Sequence, residues 1–479
     1  MHLTARDVDY SEAELYNVAE IKNGKVICMG LVLFILLAAS EIILAVRACR
    51  TEKEKKQWRR ERLIVRAAQA VLVIVSMLIS GQKWRFVPAL GFLALLLVIA
   101  ALKALIGRKK DDGLKKKSGA IVSCVLSVVM IALLLVPAFV FTGYEGLPVS
   151  GSHEIAGTSA ILVDSSRTDP FEQDGSFREV PVHFYYPADA AVGERFPLVV
   201  FSHGAFGYYQ SNTSTYMELA SNGYVVAALD HPHHAFFTQD TAGKTVIVDM
   251  DFFNTAMTLG AVTDAQTEYD LYVQWMELRT GDMNFALDEL KAAAQSGAAD
   301  ESWFVSAKDA EAIRTVLGMT DAARIGVMGH SMGGAAAVAV GRERSDVSAV
   351  IDVDGTMLSE YTGVSGGKLT VRDDPYGVPV LEFVNWENYS ELPEYIAAGN
   401  VYPNDVLIRS AADGYSVSVR GTLHMDYTDL PLLSPTLGKM LGSGERSTEE
   451  TLTIVNSLVL NFFDCYLKGE GAFSVQDVY

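Results

Sequence analysis

The sequence predicts an α/β domain that follows an all-α membrane domain of four transmembrane helices. The first 142 of the 479 residues contain four long apolar stretches and carry a net charge of +10, whereas the remaining residues carry −29. Beyond residue 158, short apolar runs alternate with helix-like segments, a pattern typical of a sheet covered by helices. We therefore divide the chain into a membrane part (1–142), a linker (143–158) and an α/β domain (159–479).

Each of the four apolar stretches is long enough to cross a lipid bilayer. About twenty helical residues span roughly 30 Å, which is the thickness of the hydrocarbon layer. The first stretch is too long for the apolar core of a cleavable signal peptide, so we expect it to be retained as an anchor. The stretches cover residues 26–46, 63–80, 86–106 and 120–141.

The charged residues between the spans predict the orientation of the chain. The segment 47–62 contains eight Lys and Arg residues and the segment 107–118 contains six, whereas 81–85 contains two. Loops rich in Lys and Arg stay in the cytoplasm, so both rich segments are predicted to be cytoplasmic. With four spans, the α/β domain is then extracytoplasmic, in a multi-pass protein of the cell membrane.

Two charged residues, Glu41 and Arg66, fall within the apolar stretches. A charge inside a span can indicate a functional site, but both residues lie towards the predicted cytoplasmic ends. We expect their side chains to reach the interface or to pair with each other.

Eight apolar runs of the second domain are predicted as strands. The run at 197–201 is almost continuously apolar, as expected of a parallel strand that is buried on both faces. The eight runs cover residues 159–163, 180–186, 197–201, 224–229, 325–328, 348–353, 378–384 and 415–419.

The second domain is organised around Ser331, which lies between an apolar run and a segment of small residues. Gly329 and Gly333 stand two residues before and after it, in the pattern Gly-x-Ser-x-Gly. In this pattern a strained turn between a strand and a helix presents the serine hydroxyl, and glycine permits the two elements to approach closely. Ser331 is therefore predicted to be a catalytic nucleophile, with the backbone N–H of Met332 directed at a developing oxyanion.

A second oxyanion donor is predicted in residues 202–207, which follow a predicted strand. The backbone N–H of Ala205 can face the same substrate oxygen as that of Met332. His203 is a possible base, but in such domains the base normally follows the nucleophile, so we expect this histidine to shape the loop.

The base is predicted at His424, in the loop after the last strand, from which an imidazole can exchange a proton with Ser331. The acid has two candidates. Asp354 ends the strand that follows the nucleophile helix, whereas Glu387 follows the next strand, the more usual position. Asp352 is expected to point elsewhere. The order of the residues leaves the choice between Asp354 and Glu387 open.

Six segments carry a resemblance to a known family: residues 165–170, 182–187, 201–204, 329–334, 354 and 421–429. In these motifs the sequence resembles the plasma-type platelet-activating-factor acetylhydrolase family and its bacterial relatives, within the α/β-hydrolase superfamily. The resemblance covers about residues 160–470 and implies an α/β-hydrolase domain. That family takes its acid about 23 residues beyond the serine, which implies Asp354 as the acid. It also implies a carboxylic-ester hydrolase for short or oxidised acyl chains of phospholipids.

Two further segments stand out in the α/β domain. Asp230, His231, His233 and His234 have the composition of a metal site, but they follow a predicted strand at the rim of the sheet, so we expect a structural role and no metal. Residues 236–275 interrupt the core pattern with aromatic, Met and acidic residues, and are predicted to form either a lid or a packed insertion.

The sequence thus predicts a membrane-anchored serine esterase that cleaves an ester through an acyl-enzyme. This chemistry requires no cofactor, and the expected partners are an ester or lipid substrate and the bilayer, not nucleic acid. One alternative is a membrane sensor or scaffold whose domain only binds a ligand, which the set Ser331, Asp354 and His424 argues against. Another is a polyester hydrolase, because residues 326–334 also resemble bacterial cutinases, although the acid of those enzymes lies farther from the serine.

Overall fold

The computed structural model describes residues 12–50, 54–79, 83–106, 114, 116–141, 144, 146–299, 303 and 307–479, with side chains from residue 30 onward apart from 104, 106 and 307–309. The chain divides into two compact units. The first comprises Met1–Glu145 and Leu432–Leu437, and the second comprises Gly146–Pro431 and Gly438–Tyr479.

The first unit contains four helical segments that are long and apolar enough to cross a membrane, as judged by length and composition. They correspond to the four predicted stretches and run over Gly30–Arg50, Lys55–Ile79, Lys83–Lys103 and Lys117–Leu134. The helices of this unit are α1 (Glu12–Arg50), α2 (Lys55–Ile79), α3 (Val87–Ile106), α4 (Lys117–Leu134) and the short α5 (Val136–Val140).

Glu41 on α1 and Arg66 on α2 form a buried ion pair. Arg66 also donates to the side chains of Gln69 at 2.6 Å and Ser127 at 2.9 Å, and Gln69 donates to Glu41 at 2.9 Å. An unpaired charge is costly in apolar surroundings, and this network supplies each charge with partners. The two charged residues therefore pair with each other, as expected, and their presence needs no functional explanation.

The second unit contains the twelve strands and most of the ten helices that the described chain forms beyond residue 145; parts of two of these helices lie within residues 432–437, which belong to the first unit. The strands are β1 (Ile155–Thr168), β2 (Phe177–Pro187), β3 (Phe196–Ser202), β4 (Val225–Leu229), β5 (Phe237–Gln239), β6 (Thr245–Ile247), β7 (Thr320–His330), β8 (Val347–Val353), β9 (Tyr361–Ser365), β10 (Lys368–Val371), β11 (Val380–Asn385) and β12 (Gly414–Val419). The helices are α6 (Thr213–Ser221), α7 (Met250–Met257), α8 (Ala265–Ser296), α9 (Ala307–Met319), α10 (Met332–Glu343), α11 (Trp386–Ala397), α12 (Pro403–Ser410), α13 (Leu430–Leu433), α14 (Pro435–Leu441) and α15 (Thr448–Phe463).

A mixed eight-stranded sheet forms the centre of this unit, in the order β1-β2-β4-β3-β7-β8-β11-β12. β2 is antiparallel to both of its neighbours, whereas the strands from β4 to β12 in that order are parallel. The eight predicted strands are the eight strands of this sheet, so the predicted α/β architecture is confirmed. The hairpins β5–β6 and β9–β10 were not predicted.

Apolar cores cover both faces of the sheet. Along β3, Leu198 and Val200 belong to one core, which α8, α9 and α10 close, whereas Val199 and Phe201 belong to the other, which α6 and α15 close. Successive side chains of a strand point to opposite faces, so a strand buried on both faces must be apolar throughout. This burial explains the continuous apolar run at 197–201.

The predicted linker, 143–158, is partly structured. β1 pairs with β2 from Ile155 onward, so the last four residues of this segment belong to the sheet. Before the strand, Gly151 packs so closely on α6 that a Cβ at this position would lie 2.0 Å from the Ser221 carbonyl oxygen. A glycine at this position of the segment therefore permits close packing against the helix.

The segment 236–275 forms the hairpin β5–β6, α7 and the first turns of α8. Phe252 and Trp275 are buried in the core on one face of the sheet, whereas Phe236 and Met257 are 60% and 63% exposed. The inner side of this segment is therefore a packed insertion.

Candidate active site

Ser331 lies in a tight turn between the end of β7 and the start of α10. Its backbone has φ 56° and ψ −126°, a conformation that costs a residue with a side chain about 1–3 kcal/mol. Both neighbouring glycines are sterically required. A Cβ on Gly329 would lie 2.2 Å from the carbonyl carbon of Gly333, and one on Gly333 would lie 2.0 Å from the carbonyl oxygen of Ser202. The Ser331 N–H donates to the Val353 carbonyl at 2.8 Å, which ties the turn to β8.

His424 lies in the loop after β12, and its Nδ1 is 2.6 Å from Oδ2 of Asp354. Asp354 directly follows β8 and has a positive φ of 56°. The carboxylate is held by Asn385, whose backbone N–H donates to Oδ1 at 2.6 Å and whose side-chain amide lies 3.0 and 3.1 Å from the two oxygens. These contacts fix Oδ1 against the end of β11 and present Oδ2 to the imidazole.

Asp354 controls the protonation of His424. Desolvation lowers the pKa of His424, but the hydrogen bond from the ring and the negative charge of Asp354 outweigh this effect, so the pKa lies above its ordinary value. The His424 side chain is still 43% exposed, which leaves it accessible to a bound substrate.

A second histidine, His330, lies beside His424, with 4.7 Å between the ring centroids. Desolvation by burial, together with the proximity of His424, lowers the pKa of His330 to about 3. His330 is therefore neutral at physiological pH, and it adds no positive charge that would oppose protonation of His424.

The other candidate carboxylates lie elsewhere. Glu387 is exposed in the first turn of α11. Asp352 is fully buried, desolvation raises its pKa well above the ordinary value, and its Oδ1 accepts the backbone N–H of Gly355 at 3.0 Å. Of the two acids that the sequence left open, the structure brings Asp354 to His424.

The predicted oxyanion loop lies beside the serine. A Cβ on Gly204 would lie 2.9 Å from Nδ1 of His330 and 3.2 Å from Cβ of Ser331, so a larger residue would push the loop away. Among the residues that the structure describes, the N–H of Ala205 donates to no other group. Met332 supplies the first N–H of α10, which has no partner within the helix. The catalytic roles of these amides, like those of the triad residues, stay predictions.

His203 shapes this loop. Its ring is fully buried, and Nε2 accepts the backbone N–H of His231 at 3.3 Å. Nδ1 therefore carries the proton and donates to the Gly204 carbonyl at 2.7 Å. Burial lowers the pKa of His203 well below the ordinary value, so the ring stays neutral with both nitrogens engaged.

Beneath the loop, α8 contributes two buried charged residues, Arg279 and Asp282. Arg279 contacts the loop itself, whereas Asp282 accepts two hydrogen bonds from Arg178, at 2.7 and 3.1 Å. Asp282 also accepts from Nδ1 of His231 at 3.0 Å, and Nε2 of this ring lies 2.9 Å from Oγ of Ser202. Ser202, His231 and Asp282 thus repeat the residue types of the predicted triad.

This second arrangement is structural. Its three side chains have no exposed surface, and burial lowers the pKa of His231 to about 4. A substrate cannot reach Ser202. The neighbouring His234 stacks on Phe252 at 3.7 Å, so the histidines of segment 230–234 pack within the domain. In the described residues, no group of three or more His, Cys, Asp or Glu side chains is arranged to hold a metal ion.

The family model described as platelet-activating factor acetylhydrolase, isoform II, matches residues 166–477, which is more than half of the chain. The chain belongs to this family. The resemblance in the sequence motifs is therefore confirmed.

Curated relatives include two proteins named platelet-activating factor acetylhydrolase. The one from Cavia porcellus is 22% identical over 298 residues, which cover 57% of this chain and 58% of the relative. The one from Gallus gallus is 24% identical over 303 residues, which cover 58% of this chain and 63% of the relative. The matched region thus spans about three fifths of these acetylhydrolases. The solved structure of a ferulic acid esterase from Streptomyces cinnamoneus matches this chain with a TM-score of 0.49 and 24% sequence identity. The match covers 68% of this chain and 93% of the esterase chain.

Three residues around the candidate active site of this member of the acetylhydrolase family were not predicted from the sequence: Asn385, Arg279 and Asp282. Asn385 ends β11, and a polar residue that ends an apolar run is a signal that could have been used. Arg279 and Asp282 stand three residues apart on a long helix, where charged residues usually face solvent. No local pattern separates them from surface charges.

Proposed function

We propose that the protein is a serine esterase that hydrolyses carboxylic esters through an acyl-enzyme. The observation that carries the proposal is the 2.6 Å contact between His424 and Asp354 at the same edge of the sheet as the strained Ser331 turn. Membership of the acetylhydrolase family supports the same reaction.

In the proposed acylation, Oγ of Ser331 attacks the ester carbonyl carbon while His424 takes the hydroxyl proton. Asp354 stabilises the imidazolium, and the N–H groups of Ala205 and Met332 donate to the oxygen that becomes negative. The imidazolium then gives its proton to the alcohol oxygen as the C–O bond breaks. The alcohol leaves, and the acyl group remains on the serine.

Water completes the proposed cycle. His424 takes a proton from a water molecule whose oxygen attacks the acyl carbon, and the same amides stabilise the second oxyanion. This intermediate collapses when Ser331 leaves and regains its proton from the imidazolium. The products are the carboxylic acid and the free enzyme, without a cofactor.

We infer that the substrate is a lipid ester and that the protein acts at the cell membrane. The four apolar helices support anchoring in the bilayer, and the positions of Lys and Arg support an extracytoplasmic catalytic domain. The names of the similar acetylhydrolases support short acyl groups on phospholipids, and the resemblance adds oxidised acyl groups.

Fluorophosphonate labelling of the full-length protein in detergent, followed by an ester panel, tests the proposal. We expect labelling of the wild type and none of Ser331→Ala. We also expect faster hydrolysis of p-nitrophenyl acetate than of the palmitate, and release of acetate from a phospholipid with an sn-2 acetyl chain. The absence of both labelling and hydrolysis would point to a ligand-binding sensor or scaffold. Monomer release from a polyester film without phospholipid turnover would point to a cutinase-like hydrolase.

A further inference from the structure

We infer that Arg279 is a positioning residue that holds the amide of Ala205 in its oxyanion-binding orientation. This inference rests on the proposed ester hydrolysis, because it concerns the stabilisation of the same oxyanion. Arg279 is fully buried on α8 and contacts the loop through its backbone carbonyl groups.

The guanidinium of Arg279 binds two consecutive carbonyl groups of the loop. Its Nη1 donates to the His203 carbonyl at 2.7 Å, and its Nη2 lies 3.3 Å from the Gly204 carbonyl. The guanidinium is planar and rigid, so the first contact fixes the position of the His203–Gly204 peptide and the second restricts the rotation of the Gly204–Ala205 peptide.

The geometry of the peptide bond transmits this restriction to the oxyanion donor. In a trans peptide the Gly204 carbonyl and the Ala205 N–H belong to one plane and point in opposite directions. The Gly204 carbonyl also accepts from Nδ1 of His203 at 2.7 Å and from the Gly207 N–H at 3.1 Å. Because this carbonyl is directed towards Arg279, the Ala205 N–H is directed away from α8. A flipped peptide would present the carbonyl to the ester oxygen and repel the developing charge.

The position of Arg279 is itself restricted. Its Nε donates to Nδ1 of His234 at 3.2 Å, and that ring stacks on Phe252 at 3.7 Å. Arg279 thus bonds to carbonyl groups, an imidazole and, at a longer distance, the hydroxyl of Ser202. The nearby carboxylate of Asp282 bonds to other residues. A buried guanidinium bonded to neutral groups costs more free energy than an apolar side chain of similar size. The orientation of the loop accounts for the presence of a charge at this position.

The test compares Arg279→Met with the wild type on an oxoester and on the matching thionoester. Sulfur is a weak hydrogen-bond acceptor, so the thiono reaction gains less from oxyanion donors. Loss of one such donor typically lowers kcat by roughly a hundred- to a thousand-fold, and a misoriented donor should cost about ten- to a hundred-fold. We expect this loss on the oxoester with little change in KM, and a much smaller loss on the thionoester, so that the ratio of the two kcat values falls.

Arg167→Met is the matched control. Arg167 contacts Asp282, which neighbours Arg279 on α8, at 3.1 Å, but it contacts none of the loop carbonyls, so the variant should keep the wild-type ratio even if its melting temperature falls. If Arg279→Met does not fold, Arg279→Lys is assayed in the same way, because lysine keeps the charge but has one nitrogen in place of the two Nη atoms that reach the loop carbonyls. An unchanged oxo-to-thiono ratio in the variant that folds overturns the inference. A wild type without esterase activity or labelling instead overturns the proposed function.

Discussion

Asp354→Asn is expected to lower kcat by about ten-thousand-fold with little change in KM. The backbone N–H of Asn385 donates to Oδ1 at 2.6 Å, so the amide oxygen of the new asparagine must occupy that position. Its NH₂ group then faces Nδ1 of His424, where the carboxylate oxygen now lies at 2.6 Å. The ring must accept this hydrogen bond at Nδ1 and carry its proton on Nε2. In that tautomer it cannot take the proton of Ser331.

The magnitude follows from two losses that act on the transition state. A ten-thousand-fold decrease corresponds to about 5.5 kcal/mol of activation free energy. One hydrogen bond to a charged group contributes only about 1.5–3 kcal/mol. The substitution also removes the charge that stabilises the imidazolium and favours the wrong tautomer, so the cost exceeds that of a single bond.

The assay is steady-state hydrolysis of a p-nitrophenyl ester, with the melting temperature measured in parallel. Glu387→Gln should keep near wild-type kcat because Glu387 is exposed on α11. Asp352→Asn should cost far less than Asp354→Asn, because Nδ1 of His424 contacts Asp354 and Oδ1 of Asp352 accepts from Gly355 instead. A large loss in Glu387→Gln with a nearly silent Asp354→Asn would refute the reasoning and place the acid after β11.

Three further predictions follow from the site and from the charge distribution. Ser331→Ala should lower kcat by about a million-fold and abolish fluorophosphonate labelling, whereas retained labelling would place the nucleophile elsewhere. Because His424 reacts as a neutral base and Asp354 raises its pKa, kcat/KM should fall as the pH drops through a midpoint above about 6.5. A midpoint at or below that value, from the pH profile of the wild type, contradicts this assignment. Protease added to intact cells should digest the domain after residue 146 and leave a tag in the 47–62 segment protected, and the opposite result contradicts the predicted orientation.

The central sheet could be predicted because its strands lie between two apolar cores. Residues such as Val199 and Val200 must both be apolar to face opposite cores, and the resulting runs are visible in the sequence. The hairpins β5–β6 and β9–β10 have strands of three to five residues with at most one buried residue in each strand, so they produce no such run. The start of β1 was also missed, because the Gly and Ser content of the preceding segment resembles that of a flexible linker.

The candidate site was predictable where its residues belong to local patterns. Ser331 has its flanking glycines, and His424 follows a recognisable last strand. The choice between Asp354 and Glu387 required either the family resemblance or the structure, because both follow a strand of the same sheet. Arg279 was not predictable, since its contacts with the 203–204 carbonyls join residues about 75 positions apart and depend on the packing of α8.

The buried arrangement of Ser202, His231 and Asp282 bears on how serine enzymes are recognised in coordinate collections. A search by interatomic distances can retrieve it as readily as a true reactive centre, and it lies on the strand next to that of Ser331, with Ser202 paired in register with Gly329. The two serines differ in access to solvent, because Ser202 has no exposed surface whereas Ser331 is partly exposed. Covalent profiling in the native state can therefore separate two serines that a geometric template treats as equivalent.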